Sequence, residues 1–224
     1  MPEGQNSPTS GRKILASLNP MVLPNLSFEE KLWRRGFDYI VGIDEVGRGS
    51  WAGPLVAAGV ILPKNFQVPS GFVESKQLTA AKREKFAELI SNKALAVKIS
   101  EISHSKINKI GISRATQFIF RKIVRSISLK PDYFLVDAFH IRYFPKSIQL
   151  AIKEGDKKSA SIAAASIVAK VYRDSLMSNL SQKFPNYGFE KHKGYGTKHH
   201  RAMIKLHGFA RVHRTSFNLN YLIS

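Results

Sequence analysis

From residue 39 onward, short apolar runs alternate with stretches whose apolar positions recur every three or four residues. The runs YIVGIDEV (39–46) and GPLVAAGVILP (53–63) read as two strands joined by a glycine-rich turn, a hairpin. LAVKISEIS (95–103) alternates in and out like a strand, and DYFLVDAF (132–139) is a buried strand ending in an acid. SIQLAIKEGD (147–156) is another strand followed by an acid. Helical periodicity predicts SFEEKLWRRG (27–36), with Ser27 as cap. It also predicts 79–94 capped by Thr79, 105–127 interrupted at Gly111, and an alanine-rich helix over 159–184. Small residues in the first half of that last helix let it approach a sheet closely. The order is strand pair, helix, strand, helix, strand, strand, helix. It specifies an α/β fold with a mixed sheet: a hairpin, then crossover units. Residues 1–20 read as a flexible tail, 21–185 as the α/β domain, and 186–224 as a basic helical segment packed on it.

Composition narrows the function. The 224 residues hold 35 Lys and Arg against 16 Asp and Glu, a net charge of +19. Such a surface attracts polyanions, and nucleic acid is the common one. There is no cysteine, which excludes disulfides and Cys-ligated metals and agrees with a cytoplasmic location. No apolar run approaches the roughly 20 residues of a membrane span, and the start lacks the apolar core of a secretory signal.

With so few acids, their placement carries information. Glu29, Glu30, Glu84 and Glu88 read as solvated helix charges. Asp44, Glu45, Asp137 and Asp156 do not: each lies in or just after an apolar strand run. Unpaired buried carboxylates are costly, and clustering makes them raise one another's pKa. A divalent cation resolves both costs, and an oxygen-only set suits Mg²⁺ or Mn²⁺. Asp156, just before the alanine-rich helix, could instead cap it, and Asp137 could be a turn former. Neighbours in a regular strand point to opposite faces, so Asp44 and Glu45 can share a site only if the chain bends or the strand ends there. Gly47-Arg48-Gly49 follows at once, and its glycines allow close backbone approach to a sugar or phosphate. A plain tight hairpin turn remains an equal reading.

Six segments resemble the bacterial ribonuclease HII family, in that family's order: GIDEVGRGSWAGPLVAAGVIL, ESKQLTAAKRE, LVDAF, EGDKKSASIAAASIVAKVYRD, YGFEKHKGYGTKHH and HRTSF. Together they cover roughly residues 38–217. The resemblance implies an RNase H-like fold with Asp44, Glu45, Asp137 and Asp156 as catalytic metal ligands for two Mn²⁺ or Mg²⁺ ions. It implies a monomeric endonuclease that cuts the RNA strand of RNA–DNA hybrids. It also implies incision 5′ of ribonucleotides embedded in duplex DNA, leaving 3′-hydroxyl and 5′-phosphate ends. Gly47, Arg48 and Gly49 match the loop that contacts the ribose 2′-OH, Tyr195 the tyrosine beside that sugar, and Ser75 and Lys76 a segment near the phosphate backbone. The chain departs from the family at Glu74, usually Asp, and at Ser50-Trp51, often Pro-Leu. Asp174 is read as structural, paired with a nearby cation. Lys191, Lys193, Lys198, Arg201 and Lys205 are candidates for a duplex cradle. His192, His199 and His200 lack a matched ligand spacing for zinc. The type III ribonucleases H share this core but add an N-terminal domain. A non-catalytic binding module would account for the charge and leave the four acids unexplained.

Overall fold

The computed structural model describes residues 23–223. The expected tail at 1–20 lies outside them. Helix α1 (Ser27–Trp33) leads into strands β1 (Ile40–Val46) and β2 (Leu55–Ile61), then α2 (Ala80–Lys93) and β3 (Ala96–Ile102). Next come α3 (His104–Ile110), α4 (Ile112–Ser126), β4 (Tyr133–Asp137) and β5 (Gln149–Ile152). The chain continues with α5 (Ala160–Lys183), α6 (Phe189–His192) and α7 (Lys198–His207).

The five strands form one sheet in the order β3-β2-β1-β4-β5. β1 pairs antiparallel with β2, and β2 with β3, while β1–β4 and β4–β5 are parallel. The sheet is mixed, with the hairpin on one side and crossover strands on the other. Most local signals act as the sequence implies. The Thr79 hydroxyl accepts from Lys82 N and starts α2, and Gly111, at φ +78°, separates α3 from α4. Helix α1 differs in detail: Ser27 is its first residue, and its N–H is met by the Asn25 side chain.

Helices cover both faces. α4 lays Ile119, Phe120 and Ile123 against Val41, Ile43 and Val136. α5 lays its alanine stripe on the opposite face, over β2, with α2 outside it. The α5–β1 approach is extreme. A Cβ on Gly42 would stand 2.2 Å from the Ser161 carbonyl carbon and 2.4 Å from Ile162 N. Two backbones cannot yield as a side-chain tip can. Gly42→Ala is therefore expected to destabilise the fold by about 2–3 kcal/mol, read as a lower urea midpoint with an unchanged slope. An unchanged midpoint would contradict the contact.

The C-terminal segment is joined to the rest through its own apolar cluster. Ala52 and Met177 of α5 meet Tyr187, Phe189, Ile204, Val212 and Leu222 there. This packing brings the 193–197 loop back over the turn after β1, since Trp51 N donates to the Gly194 carbonyl at 2.8 Å.

Candidate active site

Parallel neighbours β1 and β4 end side by side. Their last register pair is Ile43 with Val136, so Asp44 lies alongside Asp137 one step further on. Crevices at the carboxyl ends of adjacent parallel strands are the usual ligand sites of open α/β sheets. Here a cavity of about 470 Å³ opens at that edge. It is lined by the four acids and by the six residues that the resemblance places at the substrate: Asp44, Glu45, Asp137, Asp156, Gly47, Arg48, Gly49, Ser75, Lys76 and Tyr195. Ser166 and Lys170 of α5 complete the wall. A larger hollow of about 640 Å³ beside residues 63–70 has no acidic side chain in its lining.

Neither the bend nor the strand end expected at Glu45 occurs. The β1–β2 ladder pairs Asp44 with Ala58, Glu45 with Ala57 and Val46 with Val56, with no bulge, and the strand runs on to Val46. Asp44 and Glu45 therefore leave opposite faces of the sheet. Both reach the cavity because it opens around the sheet's edge rather than over one face. The chain turns only at Gly47, at φ +86°.

Each acid is held differently. Asp44 is buried, and its Oδ1 accepts from Glu45 N at 2.7 Å. The Ser166 hydroxyl beside it pulls its pKa down against the effect of burial, and Ser75 Oγ lies 3.0 Å from Ser166 Oγ. Asp137 Oδ1 accepts from Gly155 N at 2.7 Å. Asp156 sits in the 3₁₀ turn Gly155–Lys157, and the cap of α5 is Ser159, whose hydroxyl accepts from Ile162 N. The helix-cap reading of Asp156 is thereby removed. Two non-glycine residues with positive φ flank these acids: Ala138 (+57°) follows Asp137, and Glu154 (+54°) precedes Gly155. Such strain persists only where surrounding packing enforces it, and it gathers at functional sites.

Burial is the first cause of the electrostatic tension in this group. It pushes the Asp44 carboxyl well above the usual carboxylate range, with Glu45 and Asp137 adding to the push. Burial and then Asp137 raise Glu45 to about 7, against the pull of Arg48. Asp137 and Asp156 are also raised by burial, with Lys76 opposing in both cases. Glu45 Oε2 is buried without a hydrogen-bond partner. Among the described residues, no three acidic or histidine side chains stand close enough around one point to hold an ion as they are placed. The chemistry of the set still fits a hard divalent cation: four oxygen-bearing acids, charges that repel, and one orphaned buried oxygen.

The glycine turn is pinned from behind by two buried arginines that sequence reasoning passed over. Arg173 of α5 is fully buried and donates to the carbonyls of Pro54 (3.0 Å), Lys193 (3.0 Å) and Ala52 (3.3 Å). Arg214, equally buried, donates to Gly53 O and Arg48 O, both at 3.0 Å. A Cβ at Gly47 would lie 2.0 Å from Arg173 Nε, so that glycine is required by space as well as by φ. A Cβ at Gly49 would meet no protein atom within 4 Å. The Tyr195 ring lies 5.6 Å from the Arg173 guanidinium, and the Arg48 guanidinium 4.5 Å from the Phe139 ring.

Other expectations need correction. Glu29 is not solvated: it is 1% exposed and accepts from Ser159 Oγ, Ser161 Oγ and Ser161 N at the start of α5. Lys193 is not free for a cradle, because its ammonium donates to Asp174 O and Ser178 Oγ. Asp174, by contrast, is paired with cations as expected, with Lys170 at 2.6 Å and Arg83 at 3.8 Å. Glu74 accepts from Gln77, and Ser75 and Lys76 still reach the cleft. Both His192 ring nitrogens bond backbone, at Tyr187 O and Gly194 N, and His200 Nδ1 bonds Tyr195 O. These histidines hold the loop that carries Tyr195.

A sequence model of ribonuclease HII matches residues 41–220. The ribonuclease HII of Bacillus mycoides is 48% identical over 85% of this chain and 73% of its own length. The chain belongs to the ribonuclease HII family. The ribonuclease HII of Acholeplasma laidlawii is 44% identical, covering 88% of this chain and 96% of its own. Among solved structures, the ribonuclease HII of Archaeoglobus fulgidus, in its complex with PCNA, superposes with a TM-score of 0.68 at 27% identity. It covers 81% of this chain and 96% of that one. The sheet order and the helices on its two faces are thus those of a ribonuclease HII. No helix among the described residues is long and apolar enough to cross a membrane.

Proposed function

We propose that this ribonuclease HII cuts its substrate in the cleft lined by Asp44, Glu45, Asp137 and Asp156. The enzyme hydrolyses RNA in RNA–DNA hybrids and incises 5′ of ribonucleotides embedded in duplex DNA, leaving 3′-hydroxyl and 5′-phosphate ends. The observation that carries the site assignment is the convergence of four acids, the glycine turn and Tyr195 on one cavity. The four carboxylates would hold two divalent cations, Mg²⁺ or Mn²⁺, which would activate water and stabilise the leaving 3′-oxygen in an in-line displacement. Arg48 and Lys76 flank the acids and meet incoming phosphate charge.

Discrimination of ribose falls to the turn and the tyrosine. The 2′-hydroxyl is the chemical difference between RNA and DNA. Gly49 has open space where a side chain would be, which leaves its backbone reachable by a sugar. Tyr195 is 36% exposed and rests on a buried guanidinium, a rigid wall for that sugar. Lys198, Arg201 and Lys205 line a shallow groove beside Gly196, with Arg201 stacked on Trp51 at 5.8 Å. With the exposed Lys191, they are the part of the candidate cradle left to face a duplex.

The test is incision of a labelled DNA duplex containing one ribonucleotide, beside an all-DNA control, with Mg²⁺ or Mn²⁺. Cutting only the first, on the 5′ side of the ribonucleotide, is expected. Tyr195→Ala should lower kcat/KM on that substrate roughly tenfold or more while changing duplex affinity little. Equal losses in cutting and affinity would remove Tyr195 from the ribose contact.

A further inference from the structure

A second basic concavity, of about 300 Å³, lies along α4, and no acidic side chain lines it. Lys106, Arg114, Phe118, Arg121, Arg142 and Tyr143 line it. Arg114, Phe118 and Arg121 sit four and then three residues apart, on one face of α4. The opposite face of that helix, with Ile119, Phe120 and Ile123, is locked into the core, so the stripe is presented rigidly.

Three features set this patch apart from an ordinary solvated helix face. First, it is one-signed. No Asp or Glu occurs between Glu101 and Asp132, and none of the four cations forms a salt bridge among the described residues. Surfaces that need only solubility mix both signs. Second, two of the cations lie on aromatic rings instead. Lys106 Nζ is 5.5 Å from the Phe118 centroid, and Arg121 Cζ is 5.4 Å from that of Tyr143. Third, Tyr143 is 89% exposed and holds φ at +67°, a strained conformation for an aromatic residue. Folding gains little from that ring. The segment carrying it is nevertheless fastened: Gln117 accepts from Arg142 N at 2.8 Å and donates to His140 O at 3.0 Å.

We propose that this patch binds a single-stranded stretch of nucleic acid adjoining the duplex held at the cleft. The proposal rests on the cleavage reading above. A groove of cations interleaved with exposed aromatic faces is the chemistry that holds unpaired strands, phosphates on the cations and bases on the rings. A closed duplex would use the cations and leave Phe118 and Tyr143 idle. The reach is right for one substrate to touch both places. Asp137 and Arg142 are five residues apart, at most about 18 Å of chain, or roughly five base pairs of duplex rise. Phe139, under the Arg48 guanidinium, lies between them.

The experiment measures fluorescence anisotropy of a labelled single strand of about 15 nucleotides with the full chain, without divalent ions, across a salt series. A blunt, ribonucleotide-containing duplex of about 12 base pairs is the comparison, for binding under the same conditions and for incision once Mn²⁺ is added. Two variants are used: R114Q/R121Q, and Tyr143→Asn, which removes the ring while suiting the positive φ. Each is expected to weaken single-strand binding about tenfold. The double variant should also flatten the salt dependence by about 1.4 log units per log unit, for two phosphate contacts. Incision of the blunt duplex should stay within twofold of the parent, which also reports an intact fold. Unchanged single-strand binding in both variants overturns the proposal. So does equal weakening on single strand and blunt duplex, which would make the patch a general phosphate surface. Failure of the parent to incise would refute the cleavage reading instead, and the anisotropy result would still be readable.

Discussion

Asp137→Asn is expected to lower incision of a ribonucleotide-containing duplex by about three orders of magnitude, roughly 4 kcal/mol of transition-state stabilisation. The variant should still fold and bind, since Asn keeps the shape of Asp and its carbonyl oxygen can accept the Gly155 N–H that Asp137 Oδ1 accepts at 2.7 Å. What is lost is the charge that a cation needs. Full activity in Asp137→Asn would remove it from the ligand set. The same electrostatics make a second, opposite statement about stability. Burial and mutual repulsion raise these carboxyls, Glu45 to about 7. The folded chain then holds protons that the unfolded chain releases at lower pH. Glu45's contribution to stability is fully present below its ordinary value of 4.5 and is lost as pH rises through about 7, and the raised aspartates act in the same direction. In metal-free protein at pH 8, Asp44→Asn should therefore raise the melting temperature even as it abolishes cutting. Added Mn²⁺ should stabilise the parent more than the variant, because the parent keeps the full proposed ligand set and so would bind the ion more tightly. Melting curves in chelator and in Mn²⁺ decide this; a metal-free Asp44→Asn less stable than the parent at pH 8 would contradict it.

Arg214→Ala is expected to cost about 4 kcal/mol and lower the melting temperature by about 8–16 °C. Two carbonyls, Gly53 O and Arg48 O, would lose their donor inside the protein. The fully buried side chain would also leave a cavity. Burial first, and then Arg173, pulls this guanidinium down to about 9, so its charge is itself a cost that the hydrogen bonds offset. Arg214→Met, which fills the space but donates nothing, should recover part of the loss. It should still raise KM, because the Arg48 carbonyl belongs to the turn proposed to meet the substrate. A surface-like effect, under about 0.5 kcal/mol, would show that the turn does not depend on this residue.

Both arginines illustrate where sequence reasoning stops. Arg173 lies on a helical stripe with Ile162, Ser166 and Ala169, and its burial matches that periodicity. Nothing local says what a buried guanidinium would bond to. Its partner Pro54 is 119 residues away, and the Arg48 carbonyl is 166 residues from Arg214. Glu29 fails the same way: among the helix-start acids it looked solvated, and a serine hydroxyl 130 residues on takes it inside.

Periodicity and punctuation are local, and they were enough for the order of elements, the hairpin, the break at Gly111 and the start of α2 at Thr79. Strand-end acids were legible because a carboxylate in an apolar run is costly, and that cost depends only on neighbours in sequence. How Asp44 and Glu45 serve one cleft was not legible. Local geometry demanded a bend or a strand end at Glu45, yet the ladder is regular through Val46. Tertiary structure decided it by placing the cavity at the strand ends, where side chains from both faces can enter. It also decided which charges are free and which are held, since Lys193 and Arg214 are committed to distant backbone carbonyls. Local runs set the elements because backbone hydrogen bonding and side-chain period are short-range. The site's wiring waits for packing, which alone brings donors and acceptors from opposite ends of the chain together.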